Sequence, residues 1–253
     1  MKRFYRLLSI ALLTCLLTSC GIFNNYHAER KYCPAPLSGT PEQVLTKKGF
    51  VTSYNSSTRL PNWVYWHMTS DHVGGSESRF GISYHEDTKV AKPRATLADY
   101  RRSGYTRGHM CPAADCKWSR KALKESFALT NICPQTEKCN SGVWNSIETQ
   151  CREWVLEYGD LYVVCGPIYD GVPETIGDNR VAVPDGFFKV VACLNGKKKG
   201  IAFICDNVDR NQTLKSCVAS IEDVERMTGI EFFPNLNAKD SRAIKERGNL
   251  RDW

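Results

Sequence analysis

YTRGHMCPAADCKWSRKALKESFALTNICPQTEKCNSGVWNSIETQCR, residues 105–152, holds the side chains on which the reading turns. Arg107, Gly108 and His109 sit together in a turn-rich stretch, and PQTEKCNSGVWNSIETQCREW begins polar and becomes amphipathic. This predicts a histidine loop followed by a helix. Residues four apart on a helix are offset by only about 40°, so Asn140, Trp144, Glu148 and Arg152 would form one slowly winding stripe. A core-packing stripe is apolar, whereas this one mixes an amide, a carboxylate and a guanidinium. A hydrated divalent cation beside a phosphate accounts for the mixture. Asn140 offers a neutral oxygen suited to Mg²⁺, which keeps most of its waters, and Glu148 can hydrogen-bond those waters from further out.

TRGHMCPAAD, LTNICPQ and NSGVWNSIE together resemble the DRGH…SN…PQ…N…W…LE pattern of the DNA/RNA non-specific endonucleases. NWVYWHMT upstream, and YVVCGPIYDG, PDGFFKVV and VERMTGIEFFPNL downstream, are also similar to that family, in the same order. The resemblance spans residues 62–236. It implies a ββα-metal finger with His109 as general base and Asn140 as the direct metal ligand. Arg107 and Arg152 would hold the phosphate, Glu148 would order metal-bound water and Asn131 would support the site. Arg79 would be a further substrate contact. The implied activity is metal-dependent hydrolysis of DNA and RNA to 5′-phosphate and 3′-hydroxyl ends, with Mg²⁺ as cofactor and Mn²⁺ as the alternative. Two departures stand out: Thr106 replaces the family's usual Asp, and Ser141 its usual Gln. A catalytically weak nucleic-acid-binding lipoprotein of the same fold is the rival reading.

The residue types suit the chemistry. A phosphodiester repels nucleophiles and has a poor leaving group, so base, positive charge and leaving-group stabilisation are needed together. Histidine, with an ordinary pKa near 6.5, is neutral enough at pH 7 to take a proton from water. Arginine forks match phosphate oxygens. Contacts confined to phosphate and metal would read little sequence and tolerate either sugar.

The chain begins MKRFYRLLSIALLTCLLTSC: Lys2, Arg3 and Arg6, an apolar run, then small residues. This predicts a signal peptide over residues 1–19, with an apolar core too short to span a bilayer. Leu17-Thr18-Ser19-Cys20 before Gly21 resembles a bacterial lipobox, which implies lipidation at Cys20 and an exported lipoprotein, assigned to the outer membrane. Several acyl chains on one residue would anchor it stably. Losing the leader lowers the formal charge from +7 to +4, too mild by itself to identify nucleic acid as partner. Ten cysteines remain from Cys33 onward, an even number that fits a disulfide-bonded exported domain. Zinc at the close pairs Cys111/Cys116 and Cys133/Cys139 is the competing reading.

Residues 20–47 are expected to be a tether and residues 48–253 one endonuclease domain. GFVTSYN and PNWVYWHMT read as a hairpin. GDLYVVCGPIYDG and FFKVVACLNGKKKGIAFICDN read as strands, the second folding at Asn195-Gly196 with Lys197, Lys198 and Lys199 at its tip. SIEDVERMTGI has helical spacing of Ile221, Val224 and Met227 and stops at Gly229. The pattern predicts an α+β fold, a mostly antiparallel central sheet with flanking helices.

Overall fold

The computed structural model describes residues 30–253; the expected signal peptide and the expected lipidation site at Cys20 lie outside them. In chain order the elements are β1 (Gln43–Thr46), β2 (Val51–Asn55), β3 (Leu60–Thr69), α1 (Ser70–Val73), α2 (Leu97–Tyr100), β4 (Thr106–His109), α3 (Arg120–Ser126) and β5 (Ile132–Gln135). There follow α4 (Asn145–Tyr158), β6 (Asp160–Ile168), β7 (Thr175–Ile176), β8 (Val181–Ala182), β9 (Gly186–Cys193), β10 (Lys199–Asp206), β11 (Val218–Ala219), α5 (Ile221–Thr228) and α6 (Ala238–Lys245).

Seven strands form one sheet in the order β1-β2-β3-β6-β9-β10-β11, every neighbouring pair antiparallel. Because side chains alternate along a strand, β3 feeds both faces. Val64, Trp66 and Met68 enter one core, which also takes Ile147, Trp154 and Val155 of α4. Trp63 and Tyr65 enter the other, closed by Ile221 and Val224 of α5 and Ile244 of α6. Each such buried aliphatic side chain contributes about 2 kcal/mol. The result is a helix–sheet–helix sandwich, the α+β fold expected.

Local chemistry sets the element ends. The expected hairpin is β2–β3 and the second is β9–β10, turning through Gly196 at φ 52°. Ser220 and Asp223 cap α5 reciprocally, and Gly229 ends it at φ 70°, as the sequence suggested. Met227, however, is exposed, because α5 buries only Ile221 and Val224.

Several expectations are corrected. The tether of residues 20–47 extends too far: β1 is an edge strand, and Tyr32, Cys33 and Leu37 pack on the α5/α6 core. Lys199 is not at a turn tip; it opens β10, with its ammonium 3.3 Å from the Tyr158 ring centroid and 4.8 Å from that of Trp253. Helix α6 was not anticipated, since only Ile244 in it is buried and its sequence is otherwise polar. The ten cysteines of the described residues are thiols rather than disulfides, nine of them buried, where a thiol packs as a small hydrophobe. The sulfurs of Cys111 and Cys116 lie 3.7 Å apart, and Cys205 and Cys217 hydrogen-bond to each other. Among the described residues no three His, Cys, Asp or Glu side chains converge to hold a metal, so the zinc reading finds no cage.

Candidate active site

His109 closes β4, which pairs with β5 in a separate two-stranded ribbon, His109 opposite Ile132 and Thr106 opposite Gln135. The expected histidine loop is therefore a strand. Arg107 and His109, two apart, share a face of it. Tyr84 serves both, its ring 5.4 Å from the His109 ring and 4.7 Å from the Arg107 guanidinium, while its hydroxyl donates to the Arg107 carbonyl at 3.3 Å. Gly108 points the other way. A Cβ there would lie 1.8 Å from Gln135 Oε1, so the close pairing of β4 and β5 requires glycine.

Phe127 meets the His109 ring edge-on at 4.9 Å, and Nε2 is buried with no hydrogen-bond partner. Burial, reinforced by the charge of Arg79, pushes the His109 pKa down to about 3. The imidazole is thus neutral, with an idle ring nitrogen. A buried polar atom left unpaired costs stability and marks a group awaiting something from outside the protein.

The helix stripe is broken at its start. A π-helical turn, Cys139–Trp144, precedes α4, with Gly142 at φ −94° and ψ −107°. Such a bulge re-aims side chains within a helix, and here it sends the ends of the turn to the two ends of β4. Trp144 Nε1 donates to the His109 carbonyl at 3.0 Å. Asn140 Nδ2 donates to Thr106 Oγ1 at 2.9 Å. Since the Thr106 hydroxyl itself donates to the Gln135 carbonyl at 2.9 Å, its oxygen can only accept from Asn140. The amide is therefore fixed with Nδ2 towards Thr106 and Oδ1 facing away from that hydroxyl. The residue that departs from the family pattern thus orients the expected metal ligand. One neutral oxygen without a carboxylate cage fits a hard ion that keeps its waters.

Glu148, Arg152, Asp115 and Lys189 form a charged layer beneath. Arg152 donates to Asp115 Oδ1 at 3.2 Å and to Thr149 Oγ1 at 3.1 Å, leaving part of its fork for a phosphate. Asp115, in the CPAADC segment, also accepts from Trp66 Nε1 at 3.2 Å. Lys189 is fully buried, its ammonium 3.8 Å from Glu148 Oε1 and 4.1 Å from the Trp144 ring centroid. Burial raises the Glu148 pKa to about 7, against the pull of Lys189. For Lys189 burial is the largest single influence and works towards the neutral form, but its acidic neighbours, Glu148 foremost with Cys165, Cys151 and Asp115, together outweigh it and its pKa lies above the ordinary value.

Asn131, expected to support the site, has its side chain bonded to backbone groups. Fully buried, it accepts from Cys111 N–H at 2.9 Å and donates to the carbonyls of Cys111 and Ser126 at 2.9 and 2.8 Å, which pins the chain just past His109. Arg79 sits with its guanidinium 5.6 Å from the Phe127 ring centroid, near enough for its charge to act on His109. Ser141 only donates to Glu137 O at 2.7 Å, within its own turn. Tyr84, Asp115 and Lys189 escaped the sequence reading. Of these only Lys189 carried a signal, a lone cation inside the apolar strand FFKVV.

A family model described as DNA/RNA non-specific endonuclease matches residues 31–239. Mitochondrial endonuclease G of Bos taurus is 35% identical over 212 residues, covering 78% of this chain and 71% of the relative. Nuclease C1 of Cunninghamella echinulata var. echinulata is 34% identical over 216 residues, covering 79% and 86% respectively. A solved chain from the EndoG/EndoGI complex superimposes with a TM-score of 0.75 at 30% identity, over 83% of this chain and 94% of that one. With His109, Asn140, Arg107 and Glu148 brought to one ribbon-and-helix unit beside the sheet, the chain belongs to the DNA/RNA non-specific endonuclease family and is a non-specific nuclease.

Proposed function

We propose that this nuclease cuts DNA and RNA internally in a Mg²⁺-dependent hydrolysis that leaves 5′-phosphate and 3′-hydroxyl ends. The observation that carries the reading is the buried, unpartnered Nε2 of a neutral His109 on the same strand face as Arg107. In that state the ring accepts a proton from the attacking water at Nε2. Arg107, and the free part of the Arg152 fork, bind non-bridging phosphate oxygens and draw off charge as it builds. Asn140 Oδ1 would hold the ion, and Glu148 would take hydrogen bonds from its waters. When bound, Mg²⁺ supplies Lewis-acid stabilisation of the phosphate and leaving oxygens. Mn²⁺ is expected to substitute.

Digestion of supercoiled plasmid and of RNA, with Mg²⁺ or with chelator, tests the reading. Both substrates should disappear only with metal, and Asn140→Ala should be inactive with metal binding lost in calorimetry. A wild-type protein that retards plasmid on a gel without cutting it would replace this reading with binding alone.

Thr106 gives a finer check. Thr106→Val keeps the shape but removes the acceptor that fixes the Asn140 amide, and should weaken metal binding about 10- to 100-fold. Thr106→Ser should stay near wild type; equal loss in both would rule out the orienting role.

The pH profile follows from Glu148. Below about pH 7 its carboxyl is protonated and cannot accept from metal-bound water in both directions, so cleavage should rise as pH increases through about 7. His109, depressed to about 3, is already neutral there and sets no limb in that range. Glu148→Gln should be slow and lack the rise.

Export and lipid anchoring at Cys20 belong to the same proposal and rest on the leader sequence and the lipobox. Among the described residues no helix is long and apolar enough to cross a membrane. Cys20→Ala should move the protein from the membrane fraction to the soluble one.

A further inference from the structure

Phe80 is 89% exposed, the one aromatic among the exposed large apolar side chains of the described residues. A lone surface phenylalanine is ordinary, but this one is held in place. Ile82 N–H donates to the Arg79 carbonyl at 3.0 Å, and Gly81 between them has φ 74°, which makes residues 79–82 a type II turn with Phe80 at its second position. Both backbone groups of Phe80 are occupied. Its N–H donates to Ser78 Oγ at 3.1 Å, and its carbonyl accepts from Arg120 Nη2 at 3.1 Å. The same guanidinium also donates to the Ser78 carbonyl, and Glu77 N–H ties the loop to Lys117 O at 3.0 Å. The backbone is clamped and the ring faces water.

The place matters as much as the rigidity. Arg79, the preceding residue, lies over Phe127, whose ring abuts His109. A strand whose scissile phosphate sits at His109 and whose next phosphate meets Arg79 would carry its neighbouring base past Phe80.

Resting on the nuclease reading, we propose that Phe80 is a stacking platform for one unpaired nucleobase flanking the scissile phosphate. Every base offers a π-face, so the contact is independent of sequence and compatible with a non-specific enzyme. Bases in a duplex are already stacked on their neighbours, and only a single strand, a loop or an extruded base presents a free face. The platform therefore favours single-stranded DNA and RNA loops over intact duplex. Because the turn is pre-ordered, little freedom is lost on stacking.

The test measures binding in chelator, where no cleavage occurs, of a labelled ten-residue oligothymidylate and of an abasic ten-mer with the same phosphates, by anisotropy. Phe80→Ala should weaken oligothymidylate about tenfold and leave the abasic strand unchanged. Phe80→Trp should restore the affinity, with its fluorescence quenched by oligothymidylate and not by the abasic strand. Unchanged oligothymidylate binding in Phe80→Ala, or the same loss on both strands, overturns the proposal. Plasmid digestion by the wild type keeps the two readings apart. A wild type that cuts, with no base-dependent loss in Phe80→Ala, removes the platform alone. A base-dependent loss in a protein that never cuts leaves the platform and removes hydrolysis.

Discussion

His109→Ala is expected to lower kcat for plasmid cleavage by about 10²- to 10⁴-fold, the range that a positioned proton acceptor supplies. Affinity for nucleic acid in chelator should hardly move, since Arg79, Arg107 and Arg152 keep their places. Nor should the fold suffer much. The ring is half-buried between Tyr84 and Phe127, but its Nε2 makes no hydrogen bond, so no partner is orphaned by removing it. Steady-state kinetics beside a thermal melt checks both statements. If His109→Ala kept wild-type kcat, another group would be the base. If it lost activity only in proportion to lost folded protein, His109 would be a structural residue.

The largest stability effect should come from Lys189→Met. Removing one member of a buried ion pair leaves the other charge uncompensated and costs about 3–5 kcal/mol, or roughly 10 °C in Tm for a domain of this size. Glu148 is the charge left behind, 3.8 Å away and nearly enclosed. Its carboxyl already titrates at about 7 in the presence of Lys189, so without the ammonium it should titrate higher still. The sign follows. A carboxyl raised above its unfolded value stabilises the fold while protonated, and that contribution is lost as pH rises through the folded pKa. The Tm deficit of Lys189→Met should therefore be small near pH 6 and grow towards pH 9. Cleavage should shift its acid limb upward in parallel. Lys189→Met combined with Glu148→Gln, which leaves no charge to bury, should recover much of the Tm and none of the activity. A pH-independent deficit would mean that packing against Trp144 and Trp66, and not the pair, is what Lys189 supplies.

The reaction's parts were legible in the one-dimensional pattern because each is a residue type fixed by chemistry. In the proposed reaction TRGH supplies a base and a phosphate contact, and NSGVWNSIE a neutral ligand and a carboxylate. The hairpins and the α5 caps were legible too, since Asn195-Gly196, Ser220 and Gly229 act through their own backbone neighbours. What the sequence could not carry were relations between distant segments. Helical periodicity placed Asn140 and Glu148 on one regular stripe, whereas the backbone leaves helical geometry at Gly142 between them. Asn131 reads in the sequence only as a support for the site; that it does so through three hydrogen bonds to backbone 5 and 20 residues away is a tertiary fact. Residues 31–47 look like a linker by composition, yet Tyr32 packs on Tyr162, far along the chain, and β1 pairs with β2 at the sheet edge.

Sequence alone thus determined the α+β class and the residue types of the site, since both follow from local pattern and side-chain chemistry. Only the tertiary structure decided that Thr106 holds the Asn140 amide by its nitrogen, that Lys189 faces Glu148, and that the His109 ring stays neutral. Hydrogen-bond direction, charge pairing and desolvation depend on what lies within a few ångströms in space, and those neighbours are tens of residues apart in the chain.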